Sequence, residues 1–519
     1  MKNITKYLII VAGIVLGFAC VKEPTMSATE IEQRSLKAWI EKYHPELLEN
    51  YQEEGGYYVE ILDRGVQDSL PITGKDAWLW VDFTARDLQG NVCETRSWEL
   101  ALQQNTYNDH THYTPVFRFS GKDSHTLLEG SYLAIFNKLK IGDEEFEARY
   151  GTRLRLYLPS TVTSSNTGGT ADGGYEGQYE LDGDKPAIVD MMVYGHITNP
   201  VAYEGNRVDS FANINGGLCA EHKAAPKEDA ESAEKSMRRR STRADSEDGE
   251  EEVDTRPLEF YDGRWHQPID TLAQLYVNYA YSPARNTFDY NAIGVDTLMY
   301  PNENGYDKGK IYGSTTLADI DRRINEALVE RFGEGITYDE VLEADSLQTK
   351  ATANVWYIGR FLDGYVFDTN IDEVKEIVFG NVGQEGEALS FETKEPLEND
   401  YILAWNYALP TLRRGQWATI LTVSTYAYGI SGQVGAHTST TTGDTSAIDY
   451  ANYYNYMSYM NSMYGYGYGS MYNSGYYGYN PYYYGYNYVP SNTNTTTITT
   501  TATEIPSYSP MIFQVFVEK

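Results

Sequence analysis

The chain has 519 residues, a formal net charge of −33 and a sequence pI near 4.6. So acidic a chain repels nucleic-acid phosphates and anionic lipid headgroups, which sets nucleic-acid binding aside. It is 41% hydrophobic, enough for real cores, and its length leaves room for roughly two to four domains.

Lys2 and Lys6 precede the apolar run Tyr7 to Phe18, the n-region and h-region of a signal peptide. The run is too short for a transmembrane helix, which needs about 20 apolar residues. It ends in Gly17-Phe18-Ala19-Cys20. A small residue before a cysteine resembles the lipobox of lipoproteins, which implies a lipoprotein signal segment over 1–20, cut so that Cys20 is left as the lipidated N-terminus. Leu16 lies one position further back than that pattern's leucine, and Phe18 is bulkier than its usual residue. Val21 stands where an aspartate would imply inner-membrane retention, so the expected place is the outer membrane of a cell envelope, with lipid as the only anchor. Cys93 and Cys219 are the remaining cysteines; two in so long a chain make no disulfide framework, and they are left either paired or free.

Thr29 with Glu32 makes a capping-box pattern, and Ile31, Leu36, Trp39, Ile40 and Tyr43 then recur at helical spacing up to Pro45. From Tyr57 the period changes to two. Tyr57 to Leu62 and Trp78 to Phe83 read as strands, with a turn at Asp87 to Asn91 and further strands at Val116 to Phe119, Arg153 to Leu158 and Ile188 to Val193. Lys223 to Asp254 carries Arg238-Arg239-Arg240 and Glu250-Glu251-Glu252 with almost no large apolar residue, so 201–257 is expected to be a disordered charged linker.

Ala273 to Tyr281 alternates like a strand. Leu317, Ile320, Ile324, Leu328 and Phe332 form a helical stripe ending at Gly333, so 258–350 reads as a helix and strand region and a candidate partial repeat. Ala353 to Ile358 is a strand again. A shared rhythm of aromatic strand, turn and second strand recurs at Val81 to Cys93, Val277 to Asp289 and Trp356 to Asp368, which suggests internal duplication. Tyr450 to Tyr488 is low-complexity Tyr, Gly, Asn, Ser and Met between threonine-rich arms at Thr438 to Thr442 and Thr495 to Thr503, the pattern of a flexible insertion over 430–503.

Four blocks in order then carry a resemblance. Val355-Trp356-Tyr357-Ile358-Gly359-Arg360-Phe361-Leu362-Asp363-Gly364-Tyr365-Val366-Phe367-Asp368-Thr369 looks like the VxYxGxLxDGxxFDxS signature of FKBP-type peptidyl-prolyl cis-trans isomerases. Tyr401 to Trp405 with Leu409, Leu412 and Gly415 is similar to that family's short central helix and floor tryptophan. Thr422 to Gly429 resembles its AYG turn, and Ile505 to Val515 its closing IPPxxxLxFxV strand.

The resemblance covers 351–519 and implies an α+β fold, a twisted antiparallel sheet wrapped on a short helix, present in at least two copies. Residues 21–200 echo the plan with Trp80 to Arg96, Tyr132 to Gly142 and Ile188 to Val193, but Phe83, Cys93, Glu94 and Tyr132 replace the site residues; the implied copy is degenerate and catalytically silent. In 351–519 the implied site has Trp405 as floor under a proline ring and Tyr357, Phe367 and Phe513 as walls. Tyr428 would donate its hydroxyl to a substrate carbonyl, the Ile402 N–H would hold the next one, and Asp368 would sit at the rim; Tyr401, Phe391 and Ile505 would border the substrate. No cofactor is implied, and the partners would be proline-containing polypeptide clients.

Three departures stand out: Tyr401 replaces a smaller aliphatic residue, Glu373 falls where an arginine usually pairs with the rim aspartate, and a short loop over the pocket has become 430–503. The rival reading is a non-catalytic binding or adhesion lipoprotein whose working part is the insertion, since Tyr, Gly, Ser and Asn are what antibody paratopes use for adaptable contact. Elsewhere, Asp109, His110 and His112 are weak metal-ligand candidates, Asp143-Glu144-Glu145 reads as a solvated turn, and no catalytic triad, P-loop or dinucleotide fingerprint stands out.

Overall fold

The computed structural model describes residues 27–166, 186–219, 261–290, 316–335, 351–442 and 495–519, together with 340, 344 and 347, less short gaps at 75, 106, 122–124, 164, 270, 286–287, 381, 384, 395, 434–436 and 501–502. Cys20, the arginine and glutamate triplets and the stretch 450–488 lie outside the described residues.

The first capping box falls on Ser27 and Glu30 rather than on Thr29 and Glu32. Ser27 Oγ accepts from the Glu30 N–H at 3.2 Å while Glu30 accepts from the Ser27 N–H at 2.9 Å, which starts helix α1 (Ala28–Tyr43). Both pairs have the right spacing, but Glu32 is taken elsewhere: its carboxylate accepts the N–H and the hydroxyl of Ser160, each at 2.5 Å.

Strands β1 (Tyr57–Arg64), β2 (Ala77–Asp87) and β3 (Val92–Thr95), helix α2 (Trp98–Gln103), β4 (Val116–Ser120), helix α3 (Glu129–Phe136), β5 (Thr152–Leu158) and β6 (Ala187–Ile197) build the first unit. Its antiparallel sheet runs β1-β5-β6-β2, with β3 and β4 both pairing with β2. Helix α3 ends earlier than the sequence reading had it, because Leu139–Ile141 pairs with Glu144–Phe146 in a small hairpin. Tyr132, Leu133, Ala134 and Ile135 of α3 pack into one core with Val81, Phe83, Leu154 and Val189.

Helix α4 (Pro200–Ile214) follows directly, where the composition had suggested linker. Asn199 caps it through the Ala202 N–H and Pro200 fills its first turn, and Val208, Phe211 and Ala212 are buried in the core of the second unit. That unit comprises β7 (Leu275–Asn278), α5 (Leu317–Phe332), β8 (Thr352–Phe361), β9 (Val366–Thr369), α6 (Asp372–Phe379), β10 (Leu389–Glu392), α7 (Leu403–Ala408), β11 (Trp417–Thr422), a ribbon of β12 (His437–Thr442) with β13 (Thr495–Thr500), and β14 (Met511–Val517). Its sheet runs β7-β11-β14-β8, with β9 and β10 both pairing with β8.

The two sheets therefore share one strand order and one hairpin register. Thr84, Ala85 and Arg86 pair with Thr95, Glu94 and Val92; Ile358, Gly359 and Arg360 pair with Thr369, Asp368 and Val366, with the same bulge at the same step. The turns match as well. Gly90 and Gly364 sit at φ 92° and 90°, a left-handed backbone that glycine adopts without strain.

The described strand of the segment 258–350 belongs to this second sheet, and the described residues show no partial repeat of their own. β7 pairs with β11 as the edge strand, and no strand is described at Phe288 or Asp289 to complete a middle hairpin. Helix α5 covers the outer face of the sheet, where Phe332 meets Trp356, Trp417 and Phe516 at 5.0–5.7 Å. Among the described residues no helix is long and apolar enough to cross a membrane.

The arms of the insertion are also more ordered than expected. Below the β12–β13 ribbon, Gln433 and Ile505 exchange two backbone hydrogen bonds of 2.8 Å, and Glu504 pairs with Arg96 at 3.2 Å. The boundary of what can be removed thus moves inward from 430–503. Replacing 443–494 by a short glycine-serine turn is expected not to lower the urea midpoint and to raise it modestly, since closure entropy falls by about 0.6 kcal/mol per halving of loop length. A large fall in the midpoint would make the insertion structural.

Candidate functional site

Alternation along β8 sorts its side chains between two faces. Trp356 and Arg360 look toward α5, while Tyr357 looks toward α7, its ring 5.0 Å from that of Trp405 at 68°. Trp405 is 5% exposed, lies edge-on to Phe513 at 5.4 Å, and has an indole N–H without a partner among the described residues. Phe513 is 6.0 Å from Phe367, and Phe367 is 6.0 Å from Tyr428. Tyr401 closes the other side, 6.5 Å from Trp405 and 5.4 Å from the buried Phe391. The fold brings Tyr357, Phe367, Asp368, Tyr401, Trp405, Tyr428 and Phe513 into one cluster. Phe391 reaches it through Tyr401, and Ile505 is buried at the base of the ribbon.

Phe367 owes its place to a glycine. A Cβ on Gly359 would stand 2.7 Å from the Phe367 ring, so only a bare backbone lets the phenyl lie across β8. The first sheet carries the complementary pair in the same register, Ala85 opposite a strand that holds Cys93. Where the wall is lost, so is the need for glycine.

Three tyrosine hydroxyls border the cluster and differ in what they do. Tyr357 donates to Asp368 Oδ2 at 2.7 Å and Tyr401 donates to the Ser390 carbonyl at 2.6 Å. The Tyr428 hydroxyl has no partner among the described residues, and burial, then the Asp368 charge, raises its pKa, so it remains a donor. Ile402 is the N-cap of α7 with no side-chain cap, and its N–H is likewise unpartnered among the described residues. An apolar floor thus has two donors beside it. Glu373 pairs with Arg331 at 2.5 Å and leaves Asp368 to Tyr357.

The corresponding volume of the first unit is filled. Tyr132 lies under the His125 ring, stacked at 4.2 Å and 4°, and His125 is held by Glu129 and the Leu127 carbonyl. Phe83 is faced by the guanidinium groups of Arg96 and Arg118, each 5.9 Å away.

Asp109, His110 and His112 hold the two units together. His112 Nε2 lies 2.7 Å from Asp363 Oδ2, and its ring stacks on Tyr365 at 4.4 Å and Phe361 at 4.9 Å. Tyr365 donates to the Asp109 carbonyl at 2.6 Å, and His110 stacks on Phe379 at 4.0 Å. Burial would raise the Asp363 pKa, but the His112 charge and hydrogen bond outweigh it and hold the carboxyl below its usual range. Glu144 and Glu145 pair with Arg64 and Lys138 at the surface. Among the described residues no three metal-capable side chains gather. The sequence reading missed this interface because no local pattern marks contacts made across some 250 residues.

Burial raises the Asp368 pKa against the Tyr357 hydroxyl, the Thr369 N–H and Lys375. Between the unfolded carboxyl value of about 3.9 and this higher one, the native state holds more protons than the unfolded, so the group's contribution to stability falls as pH rises through that window. Asp368→Asn keeps an acceptor for Tyr357 and removes the titration. The variant is expected to lose less stability than the parent as pH rises above about 4 in urea titrations; parallel curves would put this carboxyl at its ordinary value.

No family model matches the chain, and no curated protein matches it. Among solved structures it is similar to the three FKBP domains of wheat FKBP73, at 11% identity over 90% of this chain and 95% of that one, with a TM-score of 0.18. It is similar to a peptidyl-prolyl cis-trans isomerase of Pseudomonas syringae pv. tomato, at 15% identity over 34% of this chain and 98% of that one, TM-score 0.20. A third likeness is to AtFKBP13, at 13% identity over 28% of this chain and 96% of that one, TM-score 0.18. At such TM-scores these likenesses carry no argument, and the weight falls on strand order and on the aromatic cluster.

Proposed function

We propose that the second unit is a peptidyl-prolyl cis-trans isomerase that turns X-Pro bonds over the Trp405 floor. The observation that carries this reading is the Tyr428 hydroxyl, a protonated donor without a partner among the described residues at the edge of a buried aromatic cluster. The barrier to rotation is about 18–20 kcal/mol because the amide must lose its conjugation. At the twisted geometry the nitrogen is pyramidal and the carbonyl less polar than in the planar amide. A water-poor aromatic site favours that state over the ground state with no acid, base or nucleophile. The proline ring would rest on Trp405 between Tyr357, Phe367 and Phe513. Tyr428 and the Ile402 N–H would hold the flanking carbonyls, and Asp368 would orient Tyr357.

A second reading, a non-catalytic binding or adhesion module, draws support from one observation: only 5% of Trp405 is exposed. A prolyl-tetrapeptide assay on the mature chain separates the two. Tyr428→Phe is expected to lower kcat/KM roughly fivefold, the loss of one neutral hydrogen bond of about 1 kcal/mol. Trp405→Leu should abolish turnover, because the first unit, where His125 stacks on Tyr132, the counterpart of Trp405, cannot supply it. A parent chain with no activity leaves the binding reading.

We further propose that the protein acts in the cell envelope, anchored through lipid on Cys20 and placed at the outer membrane, on proline-containing secreted or outer-membrane chains. Cys20→Ser is expected to move the protein to the soluble fraction and to abolish uptake of labelled fatty acid. Retention of both would rule out this anchor.

A further inference from the structure

We infer that Glu204, on the helix that leaves the first unit, is a positioning residue for the Tyr428 hydroxyl of the second; the inference rests on the isomerase reading above. Glu204 is 1% exposed and lies one turn before Val208 on the face of α4 buried in the second core. Its carboxylate accepts both hydrogens that Ser424 can offer, the backbone N–H and, at 2.8 Å, the hydroxyl. No local pattern links the two, which are 220 residues apart.

Ser424 is where the chain leaves β11 and turns toward the site. It opens the 3-10 turn Ser424–Tyr426, and its carbonyl accepts the Ala427 N–H at 2.9 Å and the Gly429 N–H at 2.8 Å. Those two amides flank Tyr428. The residue that both ends of Glu204 hold is therefore the residue that fixes the backbone on either side of the unpartnered hydroxyl. Beyond this lacing, the Tyr428 ring has the edge of Phe367 at 6.0 Å to set it. The two Ser424 hydrogen bonds offset part of the cost of burying the Glu204 carboxylate, and that offset is lost when the loop leaves. That makes Glu204 a latch on the position of Tyr428.

The test uses the mature full-length chain with Glu204→Ala, Glu204→Gln and the milder Ser424→Ala, each with Tyr428 intact and with Tyr428→Phe. Glu204→Ala and Ser424→Ala are expected to lower kcat/KM on a prolyl tetrapeptide, by roughly fivefold for the first, the size of one lost hydrogen bond. Glu204→Gln should restore most of it, since an amide can accept the Ser424 N–H and donate to its hydroxyl. Both losses should vanish in the Tyr428→Phe background, where there is no hydroxyl left to position. Amide exchange at 424–429 should rise in Glu204→Ala while 417–422 stays protected. Equal fold losses in the two backgrounds, or unchanged exchange at 424–429, would overturn the inference. If the parent chain isomerises nothing, the function reading falls, and the exchange measurement alone still decides whether Glu204 holds the loop.

Discussion

The guanidinium of Arg360 is shut wholly from solvent, and three elements of the second unit converge on two of its nitrogens. Nε donates to Gln514 Oε1 at 2.9 Å, and one terminal nitrogen donates to Asp321 at 2.6 Å and to the Gly364 carbonyl at 2.9 Å. Those partners come from β14, from α5 and from the β8–β9 turn. An unpaired charge at such depth costs several kcal/mol, so strand, helix and turn must be in place together. Arg360 also points away from the cluster, on the face of β8 opposite Tyr357. The constraint that fixes the hairpin therefore lies behind the sheet, and leaves its front free for Tyr357, Phe367 and Asp368.

The first unit repeats the device with a different outcome. Arg86 stands in the register of Arg360 and Asp190 in that of Gln514, and they pair at 2.5 Å, with Arg155 as a second cation on the same carboxylate. There the group stays at the rim, because α1 covers only the neighbouring part of that face through Leu36 and Ile40. One sheet plan thus carries a partly buried ion pair in one copy and a fully buried arginine in the other, according to which helix lies over it. The front faces diverge in the same manner: His125 stacks on Tyr132 in one copy where Trp405 meets Tyr357 and Phe513 in the other, and Ala85 with Cys93 replaces Gly359 with Phe367.

What the filled copy retains is its grip on the other. Its loop at Asp109 to His112 holds the β8–β9 turn, Arg96 holds Glu504, and Trp78 meets Tyr508 edge-on at 4.9 Å. With Glu204 on Ser424, these contacts fall on three of the segments that frame the aromatic cluster. The insertion rises from one of them on a paired threonine ribbon, so the rest of the frame is defined without its tyrosines.

The sequence by itself determined the strands and most helices, through a period of two at Trp78 to Phe83 and Ala353 to Ile358 and a helical stripe at Leu317 to Phe332, because burial on one face imposes those periods locally. The four blocks that resemble the FKBP pattern singled out the aromatic residues that the fold gathers into one cluster, a reading that rests on the resemblance and not on local periodicity. The helix at Pro200 was open to reading from Asn199-Pro200 and the spacing of Val208 and Phe211, but the charged composition further along obscured it. Only the tertiary structure decided that β7 is an edge of the second sheet, that His112 belongs to Asp363, that Arg360 is buried while Arg86 is not, and that Glu204 reaches Ser424. Each of these depends on a partner some 40 to 250 residues away or on which element covers a face, and neither leaves a trace in the local period of a chain.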